Sequence, residues 1–449
     1  MTSIISRIFP RTSSDAPVAQ RPRSRAIVWV TAGVAALGFL VTLEIVARHH
    51  GLPGPITNQT REVILAPHSG PLLYAGLALT MVVLTWRQRA VAAGAAIAID
   101  LVFWPVRWVF DARMNFGNGA LWVILGCVVV AVVRRTGSER VLLLKGAGLG
   151  LLLVAGHKTG DTWLHITSVT RPDVLDEYVA TADHALGDPS WLAGRLVEAT
   201  DPIGGHVLGV VYGQLPLAAA LVALYQLRHV AVERRFPSHH LARTFLVIGL
   251  LGPAVYMIFP VVGPIFAFGT DGGHWAVANL WPDTPPRFDT PGSIRFDDIT
   301  PRNCMPSLHT AWATTIFVHS RKGSPLLRFA GAFWLIGTLA ATLGFGYHYG
   351  VDLVAGVVFA LTVEAAMRSF ACGWDRRAIL LVAHGAAVFA LLLLSYRYLP
   401  TTMADHPWLF GPLLLSAMGS VVYDYVRTIR LRDPKVVPAE QPEPRLLPA

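Results

Sequence analysis

"RNCMPSLHTAWATT", residues 302–315, is where a long polar stretch runs into an apolar one. An arginine, a serine and a histidine crowd the mouth of a hydrophobic segment. Polar groups are costly there unless water, a partner or a substrate satisfies them. The stretch therefore marks both the start of a membrane span and a candidate site.

On either side of it, apolar runs recur along the whole chain. Hydrophobic residues make up 53% of the 449 and charged residues 14%, with a mean hydropathy of +0.49. A soluble domain carries about 25% charged residues, so a soluble fold is excluded. Runs long enough to cross a bilayer, roughly 17–25 residues each, predict an all-α polytopic membrane protein with about 12 transmembrane helices. The expected spans are 27–47, 72–86, 90–106, 119–133, 141–157, 206–226, 244–266, 307–320, 329–346, 351–367, 378–396 and 408–426. The first apolar segment is too long for a signal-peptide core and reads as an uncleaved anchor behind a basic tail, 1–26. The Pro-rich end, 430–449, reads as disordered. No internal repeat is visible.

The net charge of +9 does not require nucleic acid. Lysine and arginine concentrate in alternate loops, as in "RRTGSER" (134–140), "RHVAVERRFPSHHLAR" (228–243) and "SRKGSPLLR" (320–328). That is the pattern of cytoplasmic loops, with the N-terminal tail inside. Two long segments, 158–205 and 267–306, then fall on the other face and read as folded caps. In the first, "LDEYVATADHALGDPSWLAGRLVEA" (175–199) predicts an amphipathic helix pair lying at the interface. Cys127, Cys304 and Cys372 are scattered, which argues against a disulfide framework or a cysteine metal cluster. Asp100 and Lys145, inside spans, read as structural charges. The "HH" pairs at 49–50 and 239–240 read as solvated loop, with no third ligand in view.

A second stretch, "GFGYHYGVDLVAG" (344–356), carries His348 and Asp352 four residues apart, on one face of a helix. A carboxylate that accepts from one imidazole nitrogen fixes the tautomer and leaves the other nitrogen to react. By the loop charges, His348 and His309 both sit at the non-cytoplasmic mouths of their spans. Ser307 follows Pro306 at a helix start, where unpaired backbone N–H groups favour an anion. Either histidine alone would more often be structural. Their joint order, spacing and sidedness point to chemistry.

"PSLH" followed downstream by "HYGVD" resembles the second and third signature motifs of the type 2 phosphatidic acid phosphatase superfamily. More closely, "CMPSLHTAW" and "HYGVD", with "DEYVATADHALGDPSW" and "MIFPVVGPIFAF" upstream, resemble its branch of inositol phosphorylceramide synthases. Those enzymes move a phosphorylated head group between lipids. The resemblance implies a six-helix phosphatase-like core over 141–370, preceded by a four-span module, 27–140, and followed by two spans, 371–429. It implies that His348 attacks phosphorus to form a phosphohistidine while Asp352 holds its ring. His309 would protonate the leaving oxygen and then activate water or an alcohol. Ser307 and nearby amides would bind the phosphoryl oxygens. It implies no metal and no cofactor, and a phospholipid or lipid-phosphate substrate taken from the bilayer at the non-cytoplasmic (periplasmic or extracellular) face of the cell membrane.

The chain departs from the superfamily in two places. The first motif's lysine and arginine are missing near the end of the 244–266 span. The third motif's Ser-Arg is Ala341-Thr342. Replacement charge is expected from Arg302 first, five residues from Ser307, then from Arg295 and Arg287. These losses lean the expectation from monoester hydrolysis towards head-group transfer. A transporter or flippase is the alternative, but two similar halves are not seen. A vanadate-dependent haloperoxidase would need a cationic cradle that the chain lacks.

Overall fold

The computed structural model describes residues 22–64, 70–109, 116–269, 284–296 and 300–432. Residues 1–21 of the basic tail and 433–449 of the Pro-rich end lie outside them. Helices follow one another from Pro22–His49 to Pro407–Arg432. Among the described residues the only sheet pairs Asp173–Val174 with Ile294–Arg295, antiparallel. The protein is an all-α polytopic membrane protein, and eight of the described helices are long and apolar enough to cross a bilayer.

The differences from hydropathy have local causes. The spans expected at 72–86, 119–133 and 307–320 are helices of 12, 17 and 13 residues, Gly70–Met81, Asn118–Arg134 and Leu308–Ser320. The one expected at 206–226 is two helices, Ile203–Gly213 and Leu215–Leu227. Pro216 lies in the first turn of the second and has no N–H to continue the ladder. Gly137–Thr170 instead runs 34 residues, well past 157. "HKTGDTWLHITSVT" contains no proline, and the helix stops just short of Pro172, which disfavours helical geometry in the residue before it. A helix of that length measures about 50 Å and outreaches an apolar core of about 30 Å.

Gly350–Cys372 is the central helix. Within its most apolar window 72% of residues are buried, against 17–39% for the other seven candidate spans. Helices Leu241–Ile258, Leu308–Ser320, Arg376–Tyr398 and Pro407–Arg432 pack around it. Small residues permit such close approach between helices. At Gly356 a Cβ would stand 2.7 Å from the Ser307 carbonyl oxygen. Glycine there closes the helix that carries Asp352 onto the start of the helix that carries His309.

Asp100 is structural, as its sequence context suggested. It accepts from the Tyr74 hydroxyl at 2.7 Å and from the N–H groups of Gly117 and Gly119, both at 2.9 Å, so it caps Asn118–Arg134. The segment 175–199 does fold as a helix pair, Asp176–Asp183 and Pro189–Thr200, joined through a short 3-10 turn. The first helix packs one face into the protein. Val179, Ala180 and Ala182 are buried in the largest core cluster, with Tyr349, Val351 and Tyr396.

Candidate active site

His348 lies in the turn between Pro325–Gly344 and Gly350–Cys372, and only 4% of it is exposed. Its Nδ1 is 2.9 Å from the Cys304 carbonyl oxygen and 3.5 Å from Asp352 Oδ2. The ring N–H is therefore donated first to the carbonyl. This places the proton on Nδ1 and the lone pair on Nε2. Burial pushes His348 down to about 4, opposed by that carbonyl bond.

Asp352 reaches the ring less directly than expected. Its Oδ2 accepts from the Tyr349 N–H at 2.8 Å, closing the reciprocal half of a capping box. The same oxygen accepts from the Cys304 thiol at 2.6 Å, and that sulfur is 3.4 Å from His348 Nδ1. Cys304 thus touches both members of the pair, through its carbonyl and through its sulfur. Composition alone made it a stray cysteine; its position inside the motif loop was the available signal.

His309 lies in the first turn of Leu308–Ser320. Its ring stacks on Tyr212 at 4.1 Å between centroids, its Nδ1 is 3.2 Å from the Tyr212 hydroxyl, and its centroid is 6.4 Å from that of His348. Trp312 meets it edge-on at 5.8 Å. Ser307 is the N-cap, with its Oγ accepting from the Thr310 N–H at 3.3 Å. The first intrahelical bond runs from the Ala311 N–H to the Ser307 carbonyl. The N–H groups of Leu308 and His309 precede it and belong to the anion-favouring helix start.

The arginines are placed otherwise than the sequence suggested. Arg302 is fully buried, and its guanidinium donates to the carbonyls of Arg171 at 2.9 Å and of Thr300 and Phe296, both at 2.6 Å. It ties the loop to the end of Gly137–Thr170, where the Arg302 N–H also meets Thr167 Oγ1. A guanidinium committed to carbonyls is a structural clamp, not a phosphate clamp. Arg295 is exposed on its short strand, opposite Asp173, and Arg287 is exposed in the loop.

The helix pair grips the turn that carries His348 from three points. Asp176 Oδ1 accepts from the Tyr349 hydroxyl at 3.0 Å and the Gly263 N–H at 2.9 Å, and Oδ2 from the Val262 N–H at 3.1 Å. Asp183 Oδ1 accepts from the Val351 N–H at 2.9 Å, and Ser190 Oγ donates to the His348 carbonyl at 2.6 Å. Burial pushes Asp176 up to about 6 and Asp183 up to about 8, against the lowering effect of these backbone donors. Asp176, Asp183 and Ser190 sit among other polar residues of the pair, Glu177, Asp188, Arg195 and Glu198, so composition does not single them out. Replacing Asp176 with alanine would strand two backbone N–H groups and a tyrosine hydroxyl. At about 1–3 kcal/mol each, the expected loss is at least about 3 kcal/mol, read as a lowered melting temperature in detergent. An unchanged melt would show that the cap does not hold the turn.

The arrangement offers a neutral imidazole with a free Nε2, a second imidazole beside it, and a helix start suited to an anion. Residues 178–367 match the family model described as PAP2 superfamily, and this range contains His309, His348 and Asp352. Residues 27–166 match one described as Domain of unknown function (DUF5933). No curated protein and no solved structure matches the chain. The superfamily match supports phosphatase or phosphotransferase chemistry in a multi-pass membrane protein.

Proposed function

We propose that this protein moves the phosphorylated head group of a membrane lipid to a hydroxyl acceptor through a phosphohistidine on His348, at the non-cytoplasmic face. The carrying observation is the Nδ1–H bond from His348 to the Cys304 carbonyl, which leaves Nε2 as the nucleophile with His309 6.4 Å away between ring centroids. Nε2 attacks phosphorus and the bond to the leaving oxygen breaks, with His309 supplying that oxygen's proton. In the second half His309 takes the proton of the incoming hydroxyl, the hydroxyl oxygen attacks, and the P–N bond breaks to restore neutral His348. Ser307 and the amides of the helix start hold the phosphoryl oxygens. Catalysis belongs to residues 141–370.

Among the described residues no lysine or arginine is seen beside His309 or His348, which favours a phosphodiester, with one negative charge, over a dianionic monoester. This supports the resemblance to the inositol phosphorylceramide synthase branch. The test uses purified protein in detergent with lipid phosphates and phosphoinositides, following free phosphate and transfer to added diacylglycerol or ceramide. Transfer without release is the expected result. Release alone would make the enzyme a lipid phosphatase, and neither product from folded protein would overturn the reading.

The pH profile follows from His348. Its pKa in the fold lies below the ordinary value of about 6.5, so the neutral nucleophile persists as pH falls. The acid limb of kcat/KM is expected near pH 4. A limb near 6.5 would mean that a solvent-like histidine controls the reaction. The sign for stability is the same: the contribution is complete above about 6.5 and is lost as pH falls towards 4.

A further inference from the structure

A second cluster sits at the opposite end of the same helices. His319 is ten residues along its helix from His309, and Glu364 twelve along its own from Asp352. At 1.5 Å per residue these are about 15 and 18 Å. His239, in the loop before Leu241–Ile258, completes the group. Its Nε2 is 2.8 Å from Glu364 Oε1, and His319 Nε2 is 3.1 Å from Glu364 Oε2. The side chains of His239, His319 and Glu364 are 9%, 6% and 1% exposed. The sequence read His239 as solvated loop because its companions are hidden inside apolar spans.

We propose that His239, His319 and Glu364 form a site for a divalent transition metal ion, with zinc the best fit to the donors and a fourth position left to water. Two imidazole nitrogens and a carboxylate are a zinc donor set. Ligands about 2.1 Å from a tetrahedral zinc stand about 3.4 Å from one another, a few tenths of an ångström beyond the nitrogen–oxygen separations of 2.8 and 3.1 Å. The three donors converge from three separate elements, and their ligand atoms all lie within 4.8 Å of one another. His239 Nδ1 is buried without a hydrogen-bond partner among the described residues, so the ring is held through Nε2 alone. Thr244 Oγ1 and the Tyr425 hydroxyl also donate to Glu364, at 2.6 and 3.4 Å. They orient the carboxylate, as outer partners of metal ligands do.

Without the ion, each Nε2–H donates to Glu364. Binding at Nε2 requires the other tautomer, with each imidazole proton carried on Nδ1. Gln226 stands behind His319, with its amide nitrogen 2.8 Å from Nδ1 and its oxygen accepting from the Leu241 N–H at 2.8 Å. With a metal on Nε2 the His319 proton moves to Nδ1, so the amide must turn to present its oxygen. A carboxylate there would do so without turning, and Gln226→Glu should tighten binding about tenfold.

The test uses the full chain, purified without a histidine tag from zinc-supplemented cells. Elemental analysis should find about one zinc per chain, falling at least tenfold in Glu364→Gln and in His319→Ala. Those variants can fail to fold, so the wild-type protein is also stripped with chelator and titrated with cobalt(II). Visible absorption of a tetrahedral site, and a melting temperature restored by zinc, are the expected results. Wild-type protein with no stoichiometric metal, no cobalt spectrum and no zinc-dependent melt would overturn the site. It would leave a hydrogen-bonded cluster, whatever the outcome of the lipid assays.

Discussion

The His348→Ala variant should lose phosphoryl transfer by about 10⁴-fold or more, the scale seen when a covalent nucleophile is removed. The backbone contacts of the turn survive the change, because Ser190 grips the His348 carbonyl and not its ring. The buried ring leaves a cavity, so His348→Asn is the companion variant, with an amide N–H able to donate to the Cys304 carbonyl. Rapid quench with head-group-labelled substrate reads the step directly. Wild-type protein should carry label that is stable in alkali and lost in acid, as a phosphoramidate is, and neither variant should. Label of that kind in His348→Asn would move the nucleophile elsewhere.

The sequence carried the ends of this argument better than its middle. Apolar period and loop charge placed His309 and His348 at one depth, and the structure brings their rings together. Hydropathy cannot report how a polar turn is held, however. Cys304, Asp176, Asp183 and Ser190 act across long sequence separations through single hydrogen bonds, and nothing in local composition distinguishes them from ordinary loop residues. Arg302 shows the converse. Proximity to Ser307 suggested a phosphate ligand, but a loop crossing over a helix end has carbonyls to satisfy, and the guanidinium satisfies three of them. Helix lengths erred for a related reason. Hydropathy marks where a segment stops being apolar, whereas Gly137–Thr170 stops only where Pro172 ends the ladder.

Replacing His309 with alanine should cost about 10²–10⁴-fold with natural lipids, the range for a lost general acid, and the loss should depend on the leaving group. A lipid alkoxide needs a proton as it departs; p-nitrophenolate does not. With a p-nitrophenyl phosphodiester, the first half-reaction of His309→Ala should approach the wild-type rate, while His348→Ala stays inactive on both substrates. The phosphohistidine should then accumulate, because the incoming hydroxyl still lacks its base. Tyr212→Phe should fall between the two, since it keeps the stacked ring and removes the hydroxyl beside Nδ1. An equal defect in His309→Ala on both leaving groups would reassign that residue from proton transfer to positioning. The acid would then have to be sought among the other groups around the same turn, with Tyr347, 5.3 Å from Tyr212 between ring centroids, the first to examine.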